Sequence, residues 1–190
     1  MSFELGDCTD GELAALAIAG RQTAYGELMK RHRAAVFRVA RLHTADDDTA
    51  LDITQQTFIA AFTAIARFDV SRPFRHWVLR IALNKCRDEA RRRKVRTLFA
   101  VAMPLDSAAE PADPQVNIER EVASREELLR TLNAMKALPV RLREVLLLRT
   151  VEGTSQSETA AILGVTEKAV ETRLRRARNK LREILRSMER

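Results

Sequence analysis

Lys168, Thr172, Arg173, Arg175 and Arg176 stand close together near the end of this 190-residue chain. Ser155 lies at the head of the segment that precedes them. Ammonium, guanidinium and hydroxyl groups at such spacing suit the phosphate oxygens of a duplex. An arginine fork also pairs with the edge of guanine in the major groove. The chemistry indicated is recognition of double-stranded DNA.

A second constellation runs from residue 68 to residue 94. Phe68, Phe74 and Trp77 are interleaved with Arg72, Arg75, Arg80, Lys85, Arg87 and Arg91, and Arg91-Arg92-Arg93-Lys94 closes the run. Aromatic faces stack on unpaired bases while cations follow the backbone, which is what single-stranded DNA requires. A base drawn out of a duplex also needs a pocket. The loop from Asp69 through Ser71 to Pro73 supplies one, with Asn84 as a hydrogen-bonding floor. Taken alone, the three aromatics serve equally well as core residues.

No cluster of acids or histidines suggests catalysis, a metal or a cofactor. His32, His43 and His76 are isolated and read as surface residues, and Cys8 and Cys86 as small packed ones in a reduced, cytoplasmic setting. No leader and no long apolar run points to secretion or a membrane span.

Helices must position these groups. Ser155 and Glu158 have capping-box spacing, Gly164 ends that helix, and Thr166 caps the next. Val170, Leu174, Ala177, Leu181 and Ile184 then form one apolar stripe, with the basic residues off it. This is a helix-turn-helix. Upstream, residues 10–42 carry helical periodicity as one stretch. A helix over about 49–67 places Leu51, Phe58, Phe62 and Ile65 on one face, and Asp52, Gln55, Gln56, Ile59 and Thr63 on another. Pro73 breaks the pattern, and a long helix follows over about 74–96. Further helices are expected over about 117–135 and 140–150.

The net charge is +7, but unevenly spread: −4 over residues 1–20, +9 over 21–96, −4 over 97–124 and +6 over 125–190. Two basic blocks around an acidic stretch containing Pro104, Pro111 and Pro114 imply two nucleic-acid-facing domains and a flexible linker. The expected architecture is all-α, with small helical domains over 1–96 and 123–190 joined by a linker over 97–122.

These motifs together resemble a bacterial RNA polymerase sigma factor of the extracytoplasmic-function (ECF) group. Residues 52–58 resemble its polymerase-binding helix. Phe74 to Asn84, with Asp88 and Arg92, resembles its −10 element reader. Ala137-Leu138-Pro139, Arg143 to Leu146, and Arg175 to Arg178 with Leu181 resemble its C-terminal domain. The resemblance implies sigma-2-like and sigma-4-like domains and an alternative, stress-responsive factor without catalysis. Its partners would be core RNA polymerase and promoter DNA, duplex at −35 and single-stranded at −10, often with an anti-sigma factor. Asp52, Gln55, Gln56 and Ile59 would dock on the polymerase. Asp69 to Pro73 with Asn84 would hold an extruded base. Arg80, Lys85, Arg87 and Arg91 would take phosphates, and Lys168, Thr172, Arg173 and Arg176 would read −35.

Leu51 and Gln56 stand where the family usually carries acids, so the polymerase-facing helix lacks about two negative charges. Asp46, Asp47 and Asp48 are the expected compensation, through longer-range attraction. The sharper reading makes Thr49, Thr54, Thr57 and Thr63 acceptors for a Ser/Thr kinase, each phosphate adding about −1.5 to −2 charges. A stand-alone helix-turn-helix regulator is the alternative function.

Overall fold

Ala19-Gly20-Arg21 splits what the periodicity of residues 10–42 reads as one stretch. Gly20 sits at φ 89°, a left-handed conformation that glycine adopts without a Cβ penalty. Two helices result, α1 (Asp10–Ile18) and α2 (Gln22–His43). The structure, a computed structural model, describes residues 4–100 and 119–188. Beyond α2 come α3 (Asp47–Thr63), α4 (Phe74–Ala100), α5 (Glu119–Lys136), α6 (Val140–Leu146), α7 (Gln156–Leu163) and α8 (Glu167–Met188). No strand occurs among the described residues. The prolines of the expected linker lie outside them.

The first half packs α2, α3 and α4 together, with α1 against α2. Thr9 and Glu12 close a capping box on α1. Arg31 then pins the segment before it. Its Nη1 donates to Cys8 O at 2.7 Å and its Nη2 to Gly6 O at 2.7 Å. Phe74, Leu28, Val36 and Leu79 are fully buried, each contributing about 1.5–3 kcal/mol through apolar area removed from water.

Two expectations about exposure fail here, one in each direction. His32 is 7% exposed, and its Nε2 meets Asp10 Oδ2 at 2.7 Å. Leu51, expected in the core stripe of α3, is 38% exposed, and Ile53, Thr54, Thr57 and Phe58 fill the core instead. The buried face of α3 is therefore rotated from the Leu51–Phe58–Phe62 line, because Thr54 and Thr57 can bury their hydroxyls by bonding backward along the helix. Cys8 and Cys86 pack as small buried residues, and burial pushes the Cys86 thiol up to about 12.

In the second half, α6 continues into a π-helical turn over Leu147–Val151, where a uniform helix was expected. Thr154 Oγ1 donates to Leu148 O at 2.9 Å and fixes the exit. Ser155 and Glu158 form the capping box of α7, Gly164 ends it at φ 66°, and the Thr166 hydroxyl accepts from Ala169 N–H at 3.2 Å to cap α8. Val170 and Ala177 of the α8 stripe are buried, and Leu174, Leu181 and Ile184 are partly so. The two halves share one apolar core: Leu138, Leu146, Leu147, Leu148 and Ile162 join the side chains of α1 to α4.

Candidate polymerase and promoter interface

On α3, Asp52, Gln55, Gln56 and Ile59 form an outward stripe at i, i+3, i+4 and i+7. Ile59 is 65% exposed, a large apolar side chain with little packing role inside this chain. The helix around it is firmly built. The Asp46 carboxylate accepts from Thr49 N–H at 2.7 Å as N-cap, which holds its pKa below the usual carboxylate value. Asp47 pairs with Arg41. Two of the three acids expected to offset Leu51 and Gln56 are thus locally engaged.

The proposed phosphate acceptors divide. Thr54 and Thr57 are 4% and 0% exposed, and their hydroxyls donate to Ala50 O at 2.8 Å and Ile53 O at 2.7 Å. They are core residues that no kinase reaches in this fold, which corrects the expectation. Thr63 is exposed and Thr49 half-buried.

The −10 constellation gathers around α4 and the loop before it. The Asp69 carboxylate accepts from Ser71 Oγ at 2.6 Å, from Ser71 N–H at 3.0 Å and from Arg72 Nε at 3.1 Å. The Ser71 bonds lower its pKa first, and Arg72 adds to them. The loop therefore holds its own shape. It borders a cavity of about 760 Å³ whose walls include Trp77, His76 and Arg80. Trp77 is half-buried there, its ring 5.1 Å from that of Phe68. Phe68 itself is 7% exposed and T-shaped on Phe74, so it braces the cavity wall from the core. Asn84 does not line this cavity. It lies two turns along α4, where its Oδ1 accepts from Arg87 Nη1 at 3.1 Å.

Several cations of this set are already engaged. Arg75 Nη2 donates to Glu152 Oε2 at 2.6 Å. Arg87 forks onto Glu144, with Nε to Oε1 at 2.8 Å and Nη2 to Oε2 at 2.7 Å. Arg91 pairs with Asp88. Lys85 is half-buried, and Arg80 is exposed with no ion-pair partner among the described residues. Glu144 and Glu152 are side chains of the C-terminal half, 1% and 0% exposed respectively. Glu152 also receives Arg38 Nε at 2.8 Å and Nη2 at 3.0 Å. Reading the sequence missed both acids. Glu144 carried a signal of burial, an acid set directly before the apolar run from residue 145 to residue 148, but its partner was not readable, and Glu152, beyond that run, carried no such signal.

The first helix of the helix-turn-helix lies over the same cavity: Ser157, Glu158, Ala161 and Ile162 of α7 complete its wall. Glu158 Oε1 approaches His76 Nε2 at 3.4 Å, and burial holds the His76 pKa below its ordinary value. On α8, Lys168, Arg175 and Arg176 are exposed, and Thr172 and Arg173 are half-buried. Lys168 Nζ reaches Glu171 at 3.2 Å. The Ser155 hydroxyl accepts from Glu158 N–H at 3.2 Å, so its first role is the cap. No group of three or more His, Cys, Asp or Glu among the described residues is arranged to hold a metal, and no described helix is long and apolar enough to cross a membrane.

The chain is similar to known proteins in sequence and in fold. The family description Sigma-70 region 2 matches residues 28–96, and Sigma-70, region 4 matches residues 128–181. The chain is 42% identical to RNA polymerase sigma factor CnrH of Cupriavidus metallidurans, over 93% of this chain and 94% of that protein. It is 31% identical to the ECF RNA polymerase sigma factor SigM of Mycobacterium tuberculosis, over 93% of this chain and 85% of that protein. The solved structure of CnrH in complex with the cytosolic domain of CnrY superposes with a TM-score of 0.70 at 36% identity, covering 94% of this chain and 97% of that one. With the outward stripe of α3, the loop-bordered cavity of α4 and the basic face of α8 in the family's order, the chain belongs to the ECF group of RNA polymerase sigma factors.

Proposed function

We propose that the chain directs core RNA polymerase to promoters in the cytoplasm, as a non-catalytic factor, through three surfaces. The stripe Asp52, Gln55, Gln56 and Ile59 docks on the polymerase. The α8 donors Lys168, Thr172, Arg173, Arg175 and Arg176 read duplex at −35. Trp77, Arg80 and the Asp69–Pro73 loop take a base from the opened −10 strand, with Arg75, Lys85, Arg87 and Arg91 on its phosphates. The observation that carries this reading is Ile59. Ile59 is 65% exposed within one outward stripe with Asp52, Gln55 and Gln56, inside the stretch that matches Sigma-70 region 2, and that mixed polar and apolar stripe is the face offered to a partner. A stand-alone regulator leaves that stripe without a purpose.

The packed arrangement is then a resting state. Helix α7 covers the −10 cavity, and buried carboxylates occupy Arg75 and Arg87. DNA binding requires the C-terminal half to swing away, exchanging Glu152 and Glu144 for phosphates. A partner resembling an anti-sigma factor would favour the closed form. The apolar groove of about 430 Å³ that joins Phe37 and Leu42 of α2 to Leu128, Leu129 and Leu132 of α5 suits one apolar helix face. Thr49 and Thr63 remain the acceptors open to a kinase. The test is co-elution with sigma-free core polymerase, followed by transcription from a promoter carrying both elements. Co-elution of the unaltered chain and loss with Ile59→Glu is the expected result. Equal co-elution of both removes the α3 stripe as the docking surface.

A further inference from the structure

On another part of the seam lies a second cavity, of about 350 Å³. Its walls come from the end of α2, the start of α3, the C-terminal part of α4 and the start of α6. Five cations line it: Arg87, Arg93, Lys94, Arg96 and Arg143. The acids on the same wall are already engaged. Asp46 caps α3, and Glu89 pairs with Arg96. Arg87 is answered by Glu144. Arg93, Lys94 and Arg143 have no carboxylate partner among the described residues.

Arg143 is the unusual member. Its two Nη atoms donate only to carbonyls: Leu42 O at 3.2 Å, Leu138 O at 2.9 Å and Lys136 O. Its Nε is buried without a hydrogen-bond partner. Burial lowers its pKa from the ordinary guanidinium value, as expected of a cation short of counter-charge. A second wall residue shares the condition. His43 Nδ1 donates to Val39 O at 2.7 Å, and its Nε2 is buried and unbonded. That nitrogen can accept from a protonated oxygen or, once protonated, donate to an ionised one. Two side chains carrying buried orphan nitrogens and two unneutralised exposed cations therefore line one cavity. Buried polar groups in native folds are normally satisfied, so such a cluster calls for an explanation.

We propose that this cavity binds a small polyphosphate-type anion, either inorganic pyrophosphate or the diphosphate of a nucleotide. Several oxygens on one compact anion would answer Arg93 and Lys94 directly, and a small shift of the Arg143 and His43 side chains, whose Nε and Nε2 are closed to solvent here, would bring those nitrogens onto it as well. The volume is at the low end for small-molecule sites and excludes a duplex. The walls come from both halves of the chain, so the anion binds only the closed arrangement and stabilises it by mass action. The ligand would thereby oppose promoter engagement.

The probe is sodium pyrophosphate, titrated calorimetrically into the full chain at constant ionic strength, with thermal melting in parallel. A nucleoside diphosphate forms the second arm, and tighter binding there assigns the nucleotide as the source. The expected result is saturable binding with a dissociation constant on the order of 10–100 µM and a raised melting temperature. Arg93→Gln with Lys94→Gln should weaken binding at least about tenfold, since both side chains are exposed and brace nothing in the fold. Arg143→Lys keeps the charge but loses the fork and should weaken it similarly, with circular dichroism reporting whether the fold persists. Arg80→Gln, on the −10 face, should leave it unchanged. Absence of saturable binding, equal binding by the Arg93/Lys94 variant, or loss with Arg80→Gln each overturns the proposal. Polymerase co-elution of the unaltered chain is measured separately, so failure here leaves the sigma assignment standing.

Discussion

Replacing Glu152 with glutamine tests whether the closed arrangement is held by charge. The carboxylate is wholly buried and accepts three bonds, two from Arg38 and one from Arg75, at 2.6–3.0 Å. A hydrogen bond to a charged group contributes about 1.5–3 kcal/mol, so three would suggest a larger total than survives here. The two arginines are 46% and 38% exposed, so water screens the attraction and solvates them once released. Glutamine also retains one acceptor oxygen. The net loss is about 2–3 kcal/mol, which shifts the closed-to-open ratio about 30- to 150-fold.

Glu152→Gln removes no side chain assigned to DNA, so opening is separable from binding. Small-angle scattering should show a larger radius of gyration. A fluorescent single-stranded −10 oligonucleotide should bind the free variant more tightly than the unaltered chain. Arg38→Gln provides the internal check, because it removes two of the three bonds, leaves Arg75 alone on a buried carboxylate and should give a comparable shift in the same direction. Unchanged scattering together with unchanged oligonucleotide affinity would refute the clasp and assign the packing to the shared apolar core.

Ile59→Glu should weaken polymerase binding at least about tenfold while leaving stability within about 0.5 kcal/mol, read by co-elution and urea melts. Thr57→Glu should unfold the N-terminal half, costing about 3 kcal/mol or more by burying a carboxylate; a folded variant that binds polymerase better would restore the phosphorylation reading. Arg176→Ala should weaken −35 duplex binding and reduce the slope of log affinity against log salt by about 1. Acid should destabilise the chain before its carboxylates titrate. Burial lowers the pKa of His32, His43 and His76, so the unfolded chain takes up more protons, and the histidine contribution is complete above about pH 6.5 and fades as pH falls through the depressed values. Denaturant midpoints that stay level between about pH 7.5 and about pH 5.5 would contradict this.

The parts of the fold that local chemistry controls were legible. Ser155, Glu158, Gly164 and Thr166 punctuate α7 and α8 as their types demand, and the α8 stripe follows from periodicity alone. The outward face of α3 was also readable, since Asp52, Gln55, Gln56 and Ile59 share one side of a helix. Tertiary context decided the rest. Thr54 and Thr57 look polar in sequence, yet each satisfies its hydroxyl on the preceding turn and becomes core. Phe68 could have faced either way until Phe74 and Trp77 closed around it. Glu144 and Glu152 find their cations 57 and 77 positions away, beyond the reach of any local pattern.

Under the proposed function, the long-range pairs let one set of arginines serve two states. Arg75 and Arg87 need an anion in either. In the closed form the anion is a carboxylate, desolvated at the cost of burying Glu152 and Glu144. In the open form proposed above it would be DNA phosphate, and the released carboxylates would regain water. Each carboxylate carries one charge against the many of a duplex, so the exchange favours DNA once polymerase supplies both promoter elements at close range. A free −10 strand alone must compete with carboxylates already in place and with α7 over the cavity. A clasp weaker by a few kcal/mol would let the free factor occupy DNA without polymerase, and one stronger by as much would resist loading. On that proposal Glu152 sets the threshold between idle and engaged factor, and neither its removal nor the addition of a further buried pair should leave transcription unchanged.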